Sequence, residues 1–334
     1  MLLCRLDRLL PFRRLSAQGV MGMNRRNICY IGRYNPRELF PLVDDKLKAK
    51  RLALRHGLAV PELLGVVEYQ HEVKRAAELA RGLQGFCVKP AKGSSGKGIL
   101  VVSRGEDGAF YRSNGQALAP RDLERHVSNV LAGLFSLSGA PDVAMIEALI
   151  EVDDALLDYS FEGVPDLRVI VFRGFPVMAM MRLSCAASHG KANLHQGAVG
   201  VGIDIMTGQA VRAVQNNKPI LRHPDTGKDL RSLRVPQWQT LLELACACAD
   251  MTGLGYLGVD LVLDRRRGPM LLELNARPGL SIQLANGAGL LPRLRRIEAL
   301  EHVAHWPIAR RIAYACQHFG VTEAARPNVV SPAA

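Results

Sequence analysis

YLGVDLVLDRRRGPMLLELNARPGLS, residues 256–281, reads as two apolar runs around a charged turn. Leu257 to Leu263 and Met270 to Leu274 are the runs, and the turn between them carries three arginines and Gly268. Apolar β-formers on both sides of a glycine-bearing turn predict a β-hairpin. Asp260, Glu273 and Asn275 interrupt or end the runs. Residues 273 and 275 are two apart, so both point to one face of a strand. Asp260 on the antiparallel neighbour can share that face. Three oxygen-bearing side chains on one face suit Mg²⁺, which takes carboxylate and amide oxygens together with substrate phosphates. The competing reading is a solvated hairpin with Asp260 as a turn residue. Acids inside apolar runs are costly unless paired or metal-bound, and that favours a site.

Upstream, FCVKPAKGSSGKGILVV, residues 86–102, reads strand, polar loop, strand. Gly93, Gly96 and Gly98 let backbone N–H groups turn toward a ligand. Ser94, Ser95, Lys92 and Lys97 add hydroxyl donors and positive charge. That chemistry suits a phosphate. It is not a Walker A loop: Gly98 follows Lys97, and Ala91 stands where the first glycine belongs. Nor is it a Rossmann fingerprint, because Gly93 and Gly96 are three apart. A flexible hairpin loop is the plain alternative.

Six stretches in order carry a family likeness: DDKLKAKRLALRHGLAVPELLGV (44–66), residues 86–102, IEALIEVDD (146–154), DLRVIVFRGFPVMAMMRLS (166–184), KANLHQGAVGVGIDIMTG (191–208) and LLELNARPGLS (271–281). Together they resemble the ATP-grasp superfamily of carboxylate–amine ligases. The closest likeness is to the α-L-glutamate ligase-like branch, relatives of the enzyme that adds glutamates to a ribosomal protein. It runs from about Asp44 to Leu290. The resemblance implies an α+β fold in which two α+β subdomains clamp a nucleotide. It implies ATP and two Mg²⁺ ions, with Mn²⁺ as an alternative.

The resemblance also assigns residues. Lys46 and Lys89 are the nucleotide lysines, and Ser94, Ser95, Gly96 and Lys97 form a lid over the phosphates. Glu147, Ala148 and Ile150 belong to the hinge, where backbone groups read adenine. Asp154 is the ribose-binding acid, with Asp153 as its rival. Asp260, Glu273 and Asn275 are the metal ligands, Glu273 bridging two ions. Arg277 steadies the substrate carboxylate and acyl phosphate. Arg168, Arg182, Asn193 and His195 lie near the γ-phosphate and substrate. The activity implied is ATP-dependent amide formation through an acyl phosphate, with glutamate or a similar amino acid joined to a peptide or small amine. An ATP-grasp phosphotransferase and a non-catalytic ATP-binding protein are the alternatives.

One departure concerns the N-terminus. The family usually carries an α/β domain before the first lysine helix, and only 43 residues precede that helix here. The division expected is a basic N-terminal extension (1–43), a small lid subdomain (44–150), a large subdomain with the metal site (151–320) and a C-terminal tail (321–334). A partner protein could replace the missing domain.

Bulk properties set bounds. The chain has 334 residues, 48% of them hydrophobic, which fits a globular protein with a large core. No apolar run reaches the ~20 residues of a bilayer span. Seven scattered cysteines without zinc or redox spacing fit reduced thiols in a cytoplasmic protein. Net charge is +12, of which residues 1–37 carry +7. Aromatics are only 5%, and no nucleic-acid-binding motif accompanies the charge. Leucines at 2, 3, 6, 9 and 10 have helical spacing between arginines. Helices are expected over 44–56, 72–81, 121–134, 237–251 and 293–317, and strands over 145–150, 167–172 and 177–183. A polar loop is expected over 184–197.

Overall fold

The computed structural model describes residues 11–93, 96–136 and 139–321. The leucine-spaced residues 1–10, the lid serines Ser94 and Ser95, and the tail from 322 lie outside the described residues. Two antiparallel sheets organise the chain. The first contains β1 (Leu63–Val67), β2 (Gly85–Pro90), β3 (Leu100–Arg104), β4 (Phe110–Arg112) and β5 (Ala144–Glu147), in the order β1-β5-β2-β3-β4. The second contains β6 (Asp166–Phe172), β7 (Phe175–Leu183), β8 (Val199–Ile203), β9 (Ala210–Gln215), β10 (Lys218–Ile220), β11 (Tyr256–Asp264) and β12 (Gly268–Asn275). Its order is β10-β9-β8-β7-β6-β11-β12.

Each sheet has its own core. Helix Pro120–Leu131 places Leu123, Val127, Val130 and Leu131 on one stripe at helical spacing. With Ala76 and Ala80 of helix Val73–Ala80, that stripe covers Phe86, Val88, Val102 and Ile146 of the smaller sheet. On the larger sheet every residue of β6 and β11 is buried. Strands covered on both faces read as continuous apolar runs, so the few charged residues inside them stand out. Helices Trp238–Thr252 and Ile308–Phe319 pack against this sheet.

Register fixes the site. Gly258 pairs with Asn275 and Asp260 with Glu273 across β11 and β12, and Leu272 is the extra residue of a bulge just beyond. On the other side Asp260 pairs with Arg168, and Asp166 pairs with Arg182 across β6 and β7. Directly opposed residues share a face. Asp260, Glu273, Arg168 and the Asp166–Arg182 pair are therefore brought onto one surface.

Several boundaries differ from the sequence expectation. Asp44 ends a short helix, Pro41–Asp44. Asp45 is extended and caps the next one, accepting from the Lys48 amide at 3.0 Å, so the lysine helix is Lys46–Arg55. The expected strand 145–150 stops at Glu147, and the expected helix 293–317 is two, Leu291–Glu298 and Ile308–Phe319, broken before Pro307. Residues 19–43, expected within a basic extension, pack onto the larger sheet. The Met21 amide donates to Gln283 at 2.8 Å, and Tyr30 and Tyr34 meet Phe172 edge-on at 5.6 and 4.9 Å. The arginines that gave the segment its basic character, Arg25, Arg33 and Arg37, face solvent. No helix among the described residues is long and apolar enough to cross a membrane.

Candidate functional site

The face shared by β11, β6 and β7 carries a buried charge cluster. Arg168 grips Asp260 with two bonds, Nε to Oδ1 at 2.6 Å and Nη2 to Oδ2 at 2.5 Å. Arg182 Nη2 reaches Asp260 Oδ2 and Asp166 Oδ2, both at 2.7 Å, and its Nε also donates to Asp166. Two acids and two guanidinium groups balance in charge. Burial alone would push Asp260 up, but Arg168 and Arg182 outweigh it and hold its pKa below the usual carboxylate value. For Asp166 burial wins over Arg182, and its pKa rises to about 6. Asp166 was missed in the sequence, although it lies two residues before Arg168 and so on the same strand face.

Glu273 faces the cleft rather than the core. Its Oε1 lies 3.0 Å from Lys46 Nζ, and Lys46 Nζ also donates to the Gly93 carbonyl at 2.6 Å. Asn275 Nδ2 lies 3.3 Å from Asp260 Oδ2, which leaves its carbonyl oxygen as a donor atom. Carboxylate and amide oxygens on adjacent strands are the hard donors that Mg²⁺ or Mn²⁺ takes, so the chemistry of Glu273 and Asn275 fits. Asp260 differs from expectation. Its oxygens already accept from two guanidinium groups and the Asn275 amide, so metal ligation would require Arg182 to let go. Among the described residues no group of three His, Cys, Asp or Glu side chains forms a metal site.

Across the cleft, Lys89 Nζ and Lys50 Nζ each lie 2.7 Å from an oxygen of Glu147. Lys50 also donates to the Pro61 carbonyl. Burial would push Glu147 up, but the two lysines outweigh it and lower its pKa. Burial would likewise lower Lys89, yet Glu147 outweighs it and Lys89 is held above its ordinary value. Lys50, missed in the sequence, is lowered by burial against the pull of Glu147. Its signal was there: 46 and 50 are four apart on one helix, where two lysines repel unless an acid lies between or beside them. Glu147, expected in the hinge by its backbone, anchors both lysines by its side chain. The Ala148 amide donates to the Glu62 carbonyl at 3.0 Å, so it is not available to read a base. Ile150 follows it, half-buried.

The loop between β2 and β3 is tied at both ends. The Lys92 amide donates to both oxygens of Asp142 at 3.0 Å, and Ser136 Oγ donates to the same carboxylate at 2.8 Å. At the far end His126 Nε2 donates to the Gly98 carbonyl at 3.0 Å. Gly98 has φ +73°, and a Cβ there would stand 2.5 Å from the Phe135 ring, so glycine is required. Gly96 also has positive φ, and the Lys191 stem from the 184–197 loop lies beside it. Lys97, next to it, is exposed.

Arg277 lies on the rim. Its Nη2 contacts both oxygens of Asp44 at 2.9 and 2.7 Å, and its guanidinium carbon sits 5.0 Å from the centre of the Phe40 ring. The residues on either side are held by the same segment. Asn35 Nδ2 donates to the Ala276 carbonyl at 3.1 Å, and Arg26 Nη1 donates to the Pro278 carbonyl at 2.8 Å. Pro278 in turn covers Gly258, where a Cβ would meet it at 2.6 Å. The segment 26–44 thus shapes the Arg277 loop, which the sequence did not reveal.

Other expected residues stand apart. Asn193 caps a short turn, its Oδ1 accepting from the His195 amide at 3.1 Å, and the His195 ring is exposed. Asp154 pairs with Arg265 on the surface, and Asp153 caps the short helix Asp154–Leu157. Neither is brought to the lysine–carboxylate cluster by a contact.

The sugar-transfer associated ATP-grasp family profile matches residues 25–299, and the chain belongs to that family. Its α+β architecture is the ATP-grasp fold. A probable α-L-glutamate ligase of Aeromonas salmonicida is 25% identical over 77% of this chain and 63% of its own. One of Parasynechococcus marenigrum is 25% identical over 78% of this chain and 42% of its own. The chain therefore spans less than two thirds of each of these relatives. Among solved structures, D-alanine–D-alanine ligase of Bacillus anthracis with ATP is 14% identical, covering 83% of this chain and 66% of its own, with a TM-score of 0.41.

Proposed function

We propose that the chain is an ATP- and Mg²⁺-dependent carboxylate–amine ligase that forms an amide through an acyl phosphate. The observation that carries this reading is the facing arrangement of Lys46 and Lys89 with the Glu273–Asn275 strand, one partner from each side of a single cleft. The names of the glutamate ligase relatives support glutamate or a similar amino acid as one of the two substrates, and the other is proposed to be a peptide or small amine.

Joining a carboxylate to an amine in water is uphill, so the carboxylate must be activated. The donor oxygen attacks the γ-phosphorus, the bond to the β,γ-bridging oxygen breaks, and ADP leaves. The amine then attacks the acyl carbon, phosphate leaves, and the amine loses a proton. Lys46 and Lys89 hold the phosphates, and the lid from Ser94 to Lys97 covers them and excludes water. Arg277 and Arg182 steady the donor carboxylate and the charge that develops on it. Arg168 keeps Asp260 ionised and so keeps Arg182 in place. Glu273 and Asn275 would hold the metal, while Asp260, bonded to Arg168 and Arg182, would hold the arginines in place. Bound there, Mg²⁺ or Mn²⁺ supplies charge neutralisation for phosphoryl transfer. Free thiols at all six described cysteines fit a cytoplasmic setting.

The test is trapping. The protein is incubated with ATP, Mg²⁺, hydroxylamine and pooled amino acids and small carboxylic acids, and hydroxamates are sought by mass spectrometry. A hydroxamate formed with stoichiometric ADP is the expected result and names the donor. ADP released with a phosphorylated product and no hydroxamate overturns the ligase reading.

A further inference from the structure

Lys46 occupies an unusual position. Its backbone amide donates to the Ala91 carbonyl at 2.8 Å and its ammonium to the Gly93 carbonyl at 2.6 Å, so it is tied to the base of the lid loop from both ends. The same ammonium lies 3.0 Å from Glu273 Oε1. It therefore joins the lid of the smaller sheet to the carboxylate offered by the larger one. Its side chain is 18% exposed and that of Glu273 is 35% exposed, so solvent and solutes reach the pair. Asp260, by contrast, is closed off by Arg168 and Arg182.

We propose that Lys46 is a lock on the metal site: a divalent cation binds at Glu273 only once a phosphate has drawn the Lys46 ammonium away. This rests on the reading of Glu273 as a metal ligand. An ammonium 3 Å from the carboxylate neutralises it and repels a second cation at close range. An incoming polyphosphate offers the ammonium a more highly charged partner on the same side of the cleft. When Lys46 turns to it, Glu273 regains its charge. Metal and nucleotide binding are then linked through one side chain, and linkage of this kind is reciprocal.

The test uses Mn²⁺ as probe, followed by electron paramagnetic resonance with no nucleotide present. Wild type is compared with Lys46→Met, which removes the charge, and Lys46→Arg, which keeps it. Lys48→Met, on the exposed side of the same helix, controls for overall charge. The expected result is a gain in Mn²⁺ affinity of roughly 10-fold or more in Lys46→Met alone, within the range of linked sites. Glu273→Gln in the Lys46→Met background abolishes the gain. Should Lys46→Met fold poorly by circular dichroism, Lys46→Gln replaces it with the same expectation. Equal Mn²⁺ binding in wild type and the charge-removing variants, including none in either, overturns the lock. So does the same gain in Lys48→Met, or a gain that survives Glu273→Gln. Hydroxamate formation is read separately, so loss of ligase activity and failure of the lock are told apart.

Discussion

Asp260 and Glu273 are paired across one hairpin and differ in almost everything else. The Asp260 side chain is 2% exposed and gripped by two guanidinium groups, whereas that of Glu273 is 35% exposed and holds one lysine. The contrast separates construction from exchange. Breaking a buried ion pair strands a charge in low dielectric and costs about 3–5 kcal/mol, so such a cluster stays assembled. A solvated pair contributes about 0–1 kcal/mol, so its members are free to trade partners. The Arg277–Asp44 pair, with both side chains about half exposed, belongs with Glu273 in the second group.

This division can be broken by substitution. Arg168→Met, which leaves Asp260 buried beside Arg182 alone, should cost about 3–5 kcal/mol in chemical denaturation. Lys46→Met should cost no more than about 1 kcal/mol in the same experiment. Equal costs would erase the distinction between the two sides of the hairpin.

A smaller effect is expected at the rim. Asp44→Asn should leave stability within about 1 kcal/mol of wild type. It should nevertheless slow hydroxylamine-dependent ADP release by ~10-fold or more, because a guanidinium displaced by even an ångström is poorly aimed at its target. Unchanged release would mean that Asp44 does not orient Arg277.

The smallest effect concerns pH. Burial holds the His126 imidazole below its ordinary value, against the hydrogen bond to Gly98. The unfolded chain therefore takes up the proton first as pH falls. Stability from this group is present above the unfolded value of about 6.5 and is lost below it. Melting temperature should drop between about pH 7 and pH 5.5 more in wild type than in His126→Gln. Parallel profiles would remove His126 from the acid response.

How much of this was legible in the sequence follows the same division. The apolar runs of β11 and β12 and the strand–loop–strand of β2 and β3 could be read directly, because period and turn chemistry are local. Asp260 and Glu273 were singled out because acids inside apolar runs are costly, and Lys46 and Lys89 came from the family resemblance. Their partners were not. Asp44 becomes visible only when packing brings distant segments together, and the local spacing that hinted at Asp166 and Lys50 gave no partner until strand register and helix packing supplied one. The segment 19–43 was read by its arginines, of which Arg25, Arg33 and Arg37 face water, while Met21, Tyr30, Tyr34 and Asn35 do the packing. Asn193, His195 and Asp154 came from motif position alone, and no contact ties them to the lysine–carboxylate cluster.

The most direct measurement is calorimetric titration of a non-hydrolysable ATP analogue with Mg²⁺ into wild type, Lys46→Met and Lys89→Met. If the cleft between the two sheets holds a triphosphate, wild type binds and each variant loses about 10-fold or more in affinity, the worth of ~1.4 kcal/mol apiece. Binding that is equally tight in all three would put the nucleotide elsewhere and contradict the site.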